Sequence, residues 1–281
     1  MKKYLKTPRA LRRATLLAML PVFFLAGCGQ KTECEKSIDT AMGTVISQTV
    51  YVTGNSATTT NSEINEKITD VLLQKLNDLE QKELSWRLES AEVARINAAA
   101  GEGQTSVSPA MAEWLGRCRQ ISEESAGAFD VSIGRLSRLW DIDTWAAADD
   151  PQDYELPELE EIEQACALAG WKQMILEQRT NSTVVSIPAG MQLDLGAVGK
   201  GVALDEIRKI LEEYPEVSGA VISVGGSILT YGNKPEGGTW QIAVTDPLEP
   251  SQSVGVLTLD GGYCVSTSGD YERYVEVDGV R

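Results

Sequence analysis

The chain has 281 residues, with 25 Lys and Arg against 41 Asp and Glu, for a formal net charge of −16. Such an acidic surface repels nucleic acid and anionic lipid headgroups, so we expect neither as a partner. The sequence contains no His, which excludes Ser-His-Asp catalysis and His-ligated metals within these residues.

The first 27 residues have the pattern of a secretory signal. Residues 1–13 carry six Lys and Arg and no acid, and a short apolar run follows over residues 14–25. That run is shorter than the ~20 apolar residues that span a bilayer. It leads into LAGC (residues 25–28), which resembles a bacterial lipobox. We therefore expect Cys28 to be the lipidated first residue of a mature, membrane-anchored chain; the alternative is an ordinary signal peptide with a chance Cys.

Removal of residues 1–27 leaves 19 Lys and Arg against 41 Asp and Glu, a net charge of −22. Residues 28–37 are polar and predict a short tether, so that residues 38–281 form the folded domain. The other cysteines are scattered without a C-x-x-C pair: Cys34, Cys118, Cys166 and Cys264. This spacing argues against zinc or a redox dithiol, and it identifies no particular disulfide.

The first half of the domain alternates strand and helix signals. Residues 43–53 predict a strand, and apolar periodicity predicts a helix from Glu63 to Leu84. Ser108 as N-cap and Pro109 in the first turn predict the start of a second helix, which ends at Gly127. The Asp-rich residues 137–156 predict a surface loop.

The second half is richer in strands. Helices are predicted from Pro157 to Gly170 and from Lys200 to Tyr214. Strand-like runs occupy residues 183–187, 191–195, 219–224, 239–245, 254–259 and 271–277. Several strands in series with few helices predict an α+β fold with a largely antiparallel sheet and flanking helices.

One glycine-rich segment lies between a predicted strand and a predicted helix, QLDLGAVGKG (residues 192–201). Glycines before a helix N-terminus favour phosphate binding, and Lys200 would add a positive charge. The spacing is not that of a Walker A loop, and a plain turn is the alternative. Asp194 beside a phosphate site would have to hold a metal or bond ligand hydroxyl or N–H groups.

Four further short segments are polar or glycine-rich, and each alone also fits an ordinary turn: residues 42–44, 127–130, 224–227 and 266–272. Taken in order with their flanking residues, they resemble the FAD:protein FMN transferases, the ApbE family. The matching stretches cover essentially the whole mature chain: AMGT (41–44), ELSWRLESAEVARIN (83–97), GAFDVSIGRLSRLW (127–140), LDLGAVGKGVALD (193–205), ISVGGSILTYG (222–232), WQIAVTDP (240–247) and STSGDYERYVEVDGVR (266–281).

The resemblance implies an ApbE-like (T-fold-type) α+β architecture with FAD as substrate and Mg²⁺ as the metal. The family's reaction would move FMN from FAD onto a Thr or Ser hydroxyl through a phosphoester and release AMP. Targets would be flavoprotein subunits such as those of the sodium-pumping quinone reductase and the Rnf complex. An FAD pyrophosphatase and a non-catalytic flavin- or solute-binding lipoprotein are the alternatives.

The resemblance also implies site residues, although it assigns no catalytic one. Those assigned to FAD are Met42, Trp86, Ala128, Phe129, Asp130, Asp194 and Lys200. Apolar and aromatic side chains would face the flavin, and the backbone carbonyl of Ala197 would ligate Mg²⁺, which makes a hydrophobic residue acceptable there. We further infer that backbone N–H groups around Gly225, Gly226 and Ser268 steady the nucleotide.

The sequence departs from the family pattern at two places. Position 197 is Ala, where the family usually has Gly or Thr. The family also continues, beyond the position of Arg281, with a His-containing segment, an Asp-Pro-x-Thr-Gly run and further metal ligands. We therefore expect residues 1–281 to be a fragment that binds FAD weakly, if at all, and does not transfer FMN.

Overall fold

The computed structural model describes residues 32–54, 60–146, 154–269, 274–277 and 280. The predicted signal segment, Cys28 and residues 271–273 lie outside the described residues. No helix in the described part of the chain is both long enough and apolar enough to cross a bilayer.

The main sheet is built from five antiparallel strands in the order β1-β2-β6-β7-β10. Their bounds are β1 Thr32–Ala41, β2 Thr44–Thr53, β6 Val217–Val224, β7 Ser227–Gly232 and β10 Cys264–Ser266. Alternate side chains of β2 are buried, among them Ile46, Val50 and Val52, as expected for a strand with one face on a core. The predicted strands at 43–53 and 219–224 are confirmed, whereas β7 and β10 had not been predicted.

Strand β1 corrects the predicted tether. Residues 32–37, which we assigned to it, pair with β2 in continuous register, from Thr32 opposite Thr53 to Ser37 opposite Gln48. A strand at the edge of a sheet does not need two apolar faces and is often polar. The polar composition of this segment therefore reflects its edge position.

Two helices cover the main sheet and contact each other, α1 (Asn61–Asp78) and α7 (Gly196–Glu212). A π-helical segment, Leu79–Leu84, continues α1, so the predicted helix over 63–84 is confirmed with a change of pitch at its end. Thr60 and Glu63 form a capping box at the start of α1. Both helices contribute fully buried side chains to one core, including Leu72, Leu76, Leu204 and Ile207, each worth about 1.5–3 kcal/mol of burial.

A second, three-stranded sheet has the order β3-β5-β4, with β3 Thr105–Val107, β4 Ile175–Gln178 and β5 Thr183–Ser186. Helix α2 (Glu92–Ala98) precedes β3 in the chain, and helix α3 (Pro109–Glu124) follows β3 and contacts β5. Ser108 caps α3 by accepting a 3.1 Å hydrogen bond from the N–H of Met111, which confirms the predicted helix start. A separate hairpin contains β8 (Trp240–Thr245) and β9 (Ser253–Leu259).

The loop predicted over residues 137–156 is wrong for its first ten residues. Nine of the ten belong to α4 (Gly134–Trp140) or α5 (Ile142–Ala146), and the tenth, Asp141, lies between the two helices. The acidic residues that suggested a loop have local roles: Asp141 takes a left-handed conformation that ends α4, and Asp143 lies in the first turn of α5. Helix α6 (Leu159–Ala167) confirms the helix predicted after Pro157.

The strand predicted over residues 191–195 is also wrong, although its burial pattern is right. Met191, Leu193 and Leu195 are buried, but the segment pairs with no sheet strand. The side chain of Asn97 bonds the N–H and the C=O of Leu193 at 2.7 and 2.9 Å. The flanking backbone groups bond the segment before α4: Asp194 N–H donates to the carbonyl of Val131, and the carbonyl of Gln192 accepts from Gly134 N–H, both at 2.8 Å, around a single parallel bridge. Alternation of apolar residues indicates burial and cannot distinguish a strand in a sheet from a segment with such isolated partners.

Candidate active site

A two-residue turn joins β1 to β2 and presents Met42. Met42 and Gly43 have φ of +54° and +64°, and Ala41 pairs with Thr44 across the turn. Left-handed backbone costs a non-glycine residue about 1–2 kcal/mol, and such strain tends to occur at functional sites. The N–H of Met42 donates to Oε2 of Glu80 at 2.8 Å.

The π-helical segment positions Glu80 and leads into Trp86. Single π-helical turns occur frequently at functional sites because they change the direction of the side chains that follow. The hydroxyl of Ser85 then accepts hydrogen bonds from the N–H groups of Arg87 and Leu88 at 3.1 and 3.2 Å. This local turn fixes the backbone beside Trp86.

The third wall of the site is the start of α7. Asp194 Oδ1 accepts the N–H of Gly196 at 2.8 Å, and its other oxygen has no hydrogen-bond partner among the described residues. The helix begins at Gly196, four residues earlier than predicted, so Ala197 lies in its first turn and is exposed. Lys200 Nζ donates to the carbonyl of Gly225 at 2.5 Å.

These three segments surround one open cleft of about 210 Å³. Its lining includes four of the seven residues assigned to FAD, namely Met42, Trp86, Asp194 and Lys200. The four come from positions up to 158 residues apart in sequence and from three different elements. The structure therefore brings together the larger part of the predicted site.

A second cavity of about 350 Å³ adjoins the first. It lies against α4 and α5, where Ile133, Leu136, Trp140 and Ile142 give it an apolar wall. The two cavities share three lining residues, Arg87, Asp143 and Asp194. Ligand sites usually measure about 300–1,000 Å³. The first cavity alone is smaller than this, whereas the two cavities together fall within the range.

The other three predicted FAD residues, Ala128, Phe129 and Asp130, line neither cavity. Both carboxylate oxygens of Asp130 are used internally: Oδ1 accepts from the N–H and the hydroxyl of Ser132 at 2.8 and 2.6 Å, and Oδ2 accepts from the N–H of Trp171 at 3.0 Å. In this structure Asp130 joins the segment after α3 to the segment after α6. Its role in binding FAD rests on the resemblance alone.

The glycine turn between β6 and β7 has a structural role that limits its use for a ligand. Gly225 has φ of +50°, and its N–H donates to the carbonyl of Val45 at 3.0 Å, so this N–H is not available to a nucleotide. A side chain at position 225 would also collide with that of Thr44. Of the segment beyond it, Ser268 is exposed, and residues 270–273 lie outside the described part.

Sequence reasoning missed several charged residues of the site: Glu80, Arg87, Arg138 and Asp143. The guanidinium carbons of Arg87 and Arg138 lie 3.9 and 4.9 Å from the centroid of the Trp86 ring. Both arginines fall within the stretches that match the family, so those stretches could have indicated them. We call Arg87, Arg138 and Lys200 the basic cluster. The carboxylates of Glu80, Asp143 and Asp194 line the same cleft, so the N–H donors of the cluster, and not the net charge of the cleft, suit an anionic ligand.

The described residues hold no group of three or more His, Cys, Asp or Glu that could by itself bind a metal ion. Mg²⁺ is usually held by one or two carboxylates together with substrate phosphates and water. Asp194 could contribute a carboxylate oxygen to such a site. The carbonyl of Ala197 faces along α7 but keeps a second lone pair.

Comparison with known proteins gives a consistent result. Residues 42–281 match the sequence model of the ApbE family. The FAD:protein FMN transferase of Escherichia coli K12 is 27% identical over 276 residues, which cover 96% of this chain and 75% of that protein. The Klebsiella pneumoniae protein of the same name is 33% identical over 211 residues, 75% of this chain and 60% of its own length.

Solved structures agree with the sequence matches. The ApbE protein of Thermotoga maritima has a TM-score of 0.72 and 29% identity, with 88% of this chain and 74% of that chain covered. The apo form of the flavinyl transferase ApbE of Pseudomonas stutzeri has a TM-score of 0.70 and 26% identity, with 88% and 72% covered. These similarities confirm the predicted α+β fold.

Proposed function

This chain belongs to the ApbE family, and on that premise we propose that it is an FAD:protein FMN transferase whose substrate binds in the cleft between Met42 and Lys200. The observation that carries the proposal is the convergence of Met42, Trp86, Asp194 and Lys200 on one cleft. The names of the relatives support the same activity.

Each part of FAD has a suitable partner at the site. The Met42 thioether and the part of the Trp86 indole that the two arginines leave uncovered offer apolar, polarisable surface to the isoalloxazine ring. The pyrophosphate carries negative charge, which the basic cluster of Arg87, Arg138 and Lys200 would attract. The carboxylate of Asp194 can accept hydrogen bonds from ribityl hydroxyls or from a ring N–H.

The chemical step would be phosphoryl-type transfer. The oxygen of an acceptor Thr or Ser attacks the phosphorus of the FMN half, the bond from that phosphorus to the bridging oxygen breaks, and AMP leaves with the electron pair. The hydroxyl proton passes to a base or to solvent. Asp194 and the Ala197 carbonyl would hold Mg²⁺, which would supply positive charge against the negative charge that develops during the transfer. The chain's own residues orient the phosphates and keep the acceptor in line.

The place of action would be the outer face of a membrane, with the chain anchored through a lipid on Cys28. Candidate acceptors are membrane flavoprotein subunits such as those of the sodium-pumping quinone reductase and the Rnf complex. A short tether raises the effective concentration of enzyme and target at one surface. Mass spectrometry of the N-terminal peptide would test the anchor, since a peptide beginning at an unmodified residue would contradict it.

The activity test incubates the chain, extended by any downstream sequence that the gene encodes, with FAD, Mg²⁺ and an acceptor protein, with the Escherichia coli relative as positive control. Fluorescent flavin that stays on the acceptor band in a denaturing gel, with AMP released, supports the transferase. Free FMN and AMP without labelled acceptor would replace it with an FAD pyrophosphatase. Intact FAD bound to the protein would replace it with a flavin-binding protein.

The same assay tests the expectation that residues 1–281 are a fragment. It is run on residues 28–281 and on those residues extended by any downstream sequence that the gene encodes. Transfer by residues 28–281 alone would contradict that expectation. Omission of Mg²⁺ and addition of a chelator then test the metal dependence.

A further inference from the structure

An ion pair lies on the boundary between the two cavities. Arg87 Nη2 is 3.1 Å from Oδ2 of Asp143, and both residues line both cavities. Arg87 follows the π-helical segment, whereas Asp143 belongs to α5, so the pair joins the two walls of the site. A ligand that occupied both cavities would have to pass this point.

The guanidinium of Arg87 is held in place by a second contact, with the Trp86 ring at 3.9 Å. Stacking on an aromatic ring leaves the edge of a guanidinium, with its N–H donors, free to bond other groups. Arg87 can therefore exchange one anionic partner for another without leaving Trp86. Arg138, on the same ring at 4.9 Å, has no carboxylate partner among the described residues.

The exchange would be easy because the pair is exposed. The side chains of Arg87 and Asp143 keep 44% and 49% of their accessible surface, and an exposed pair of this kind stabilises a protein little or not at all. A pyrophosphate presents more acceptor oxygens and more charge than a single carboxylate, and a guanidinium can bind it with two parallel hydrogen bonds.

We propose that Arg87 is a pyrophosphate-binding residue that exchanges Asp143 for the substrate, so that Asp143 competes with the dinucleotide for Arg87. The inference rests on the proposed function, since it takes FAD as the ligand of this cleft. It specifies how the site selects a flavin dinucleotide: riboflavin carries no phosphate and leaves the ion pair intact.

The test measures the dissociation constants of FAD and riboflavin by flavin fluorescence for the wild type, Asp143→Asn, Arg87→Gln and the double variant. Asp143→Asn should bind FAD about three- to fivefold more tightly, because an exposed pair contributes at most a factor of about five. Its affinity for riboflavin should not change. Arg87→Gln should bind FAD about tenfold more weakly, and Asp143→Asn should have no effect in that background.

Glu177→Gln is the matched control. Glu177 on β4 forms an ion pair with Arg179, the residue after the strand. The two side chains are about as exposed, at 50% and 47%, with a nitrogen–oxygen distance of 3.2 Å. This variant should bind FAD as the wild type does. A gain of affinity in Asp143→Asn cannot result from misfolding, so the proposal stays testable even if Arg87→Gln is unstable.

Three results would count against the inference. Unchanged FAD affinity in Asp143→Asn would overturn it and leave the proposed function standing. Equal shifts for FAD and riboflavin would overturn it as well, because Arg87 would then act through Trp86 and not through phosphate. If neither residues 28–281 nor the chain extended by its downstream sequence bound FAD, the proposed function would fail and the inference with it.

Discussion

The backbone N–H of Met42 donates a 2.8 Å hydrogen bond to the carboxylate of Glu80, 38 residues further along the chain. The bond joins a strained turn in the main sheet to the π-helical segment that ends at Leu84. It holds Met42 at the rim of the cleft and fixes the distance between two of its walls. Glu80, which itself lines the cleft, is thus a determinant of its shape.

Glu80→Ala should therefore weaken FAD binding about tenfold. It also should lower the free energy of unfolding by about 1–2 kcal/mol, because the Met42 N–H loses a charged acceptor. Glu80→Gln keeps an acceptor oxygen at the same position and should retain most of the FAD affinity and most of the stability. Fluorescence titration and urea denaturation measure the two effects. If the two variants had the same FAD affinity and stability, the hydrogen bond to Met42 would not be the cause of either effect.

Asp194→Ala should lower the affinity for FAD by tenfold or more. Asp194→Asn can still accept the hydrogen bond from Gly196, so it should unfold at the wild-type temperature while binding FAD as poorly as the Ala variant. That result would separate the charge of Asp194 from its role at the start of α7. Unchanged FAD affinity in Asp194→Ala would remove the residue from the site.

Glu83 should make the protein less stable as the pH rises, which is the opposite of the usual effect of a carboxyl group. Burial raises the pKa of its carboxyl, an effect that Lys75 at 3.6 Å only partly offsets, and its Oε2 is buried without a hydrogen-bond partner. A carboxyl whose pKa is raised on folding contributes stability below its unfolded pKa, and this contribution is lost as pH rises through the folded pKa. Glu83→Gln should therefore stabilise the protein by about 0.5–1 kcal/mol at pH 8.

The gain from Glu83→Gln should shrink as the pH falls, which denaturation series between acidic and alkaline pH would measure. Glu177→Gln is the opposite control, since hydrogen bonds from Arg179 and Gln104 lower the pKa of Glu177. That variant should lose a little stability at neutral pH and none in acid. A gain from Glu83→Gln that is the same at every pH would contradict the charge-burial explanation.

The cysteines should differ in reactivity. Burial raises the pKa of the Cys118 thiol to about 11, so at pH 8 only about one molecule in a thousand carries the reactive thiolate. Cys34, Cys166 and Cys264 are exposed and should be alkylated by iodoacetamide within minutes. Peptide mass spectrometry should find Cys118 unmodified until urea is added, and rapid labelling of native Cys118 would refute its burial.

The sequence alone predicted much of the fold and part of the site. Ser108 and Pro109 predicted the start of α3 because capping is a local interaction between neighbouring residues. Met42, Trp86, Asp194 and Lys200 were assigned together and line one cleft. The strand predicted over residues 191–195 failed because its backbone partners are the side chain of Asn97, almost a hundred residues away, and a single bridge to residues 131–134, neither of which is a strand of a sheet.

Local and periodic features were therefore determined by the sequence itself: helix caps, turn glycines, the burial pattern and the family motifs. Which groups meet across long distances was decided only by the tertiary structure. The contact of Glu80 with Met42 and that of Arg87 with Asp143 join segments that are distant in sequence. Nothing in the sequence indicated that these residues would meet. The reason is physical, because such contacts depend on how the sheet and helices pack, and packing is a property of the whole chain.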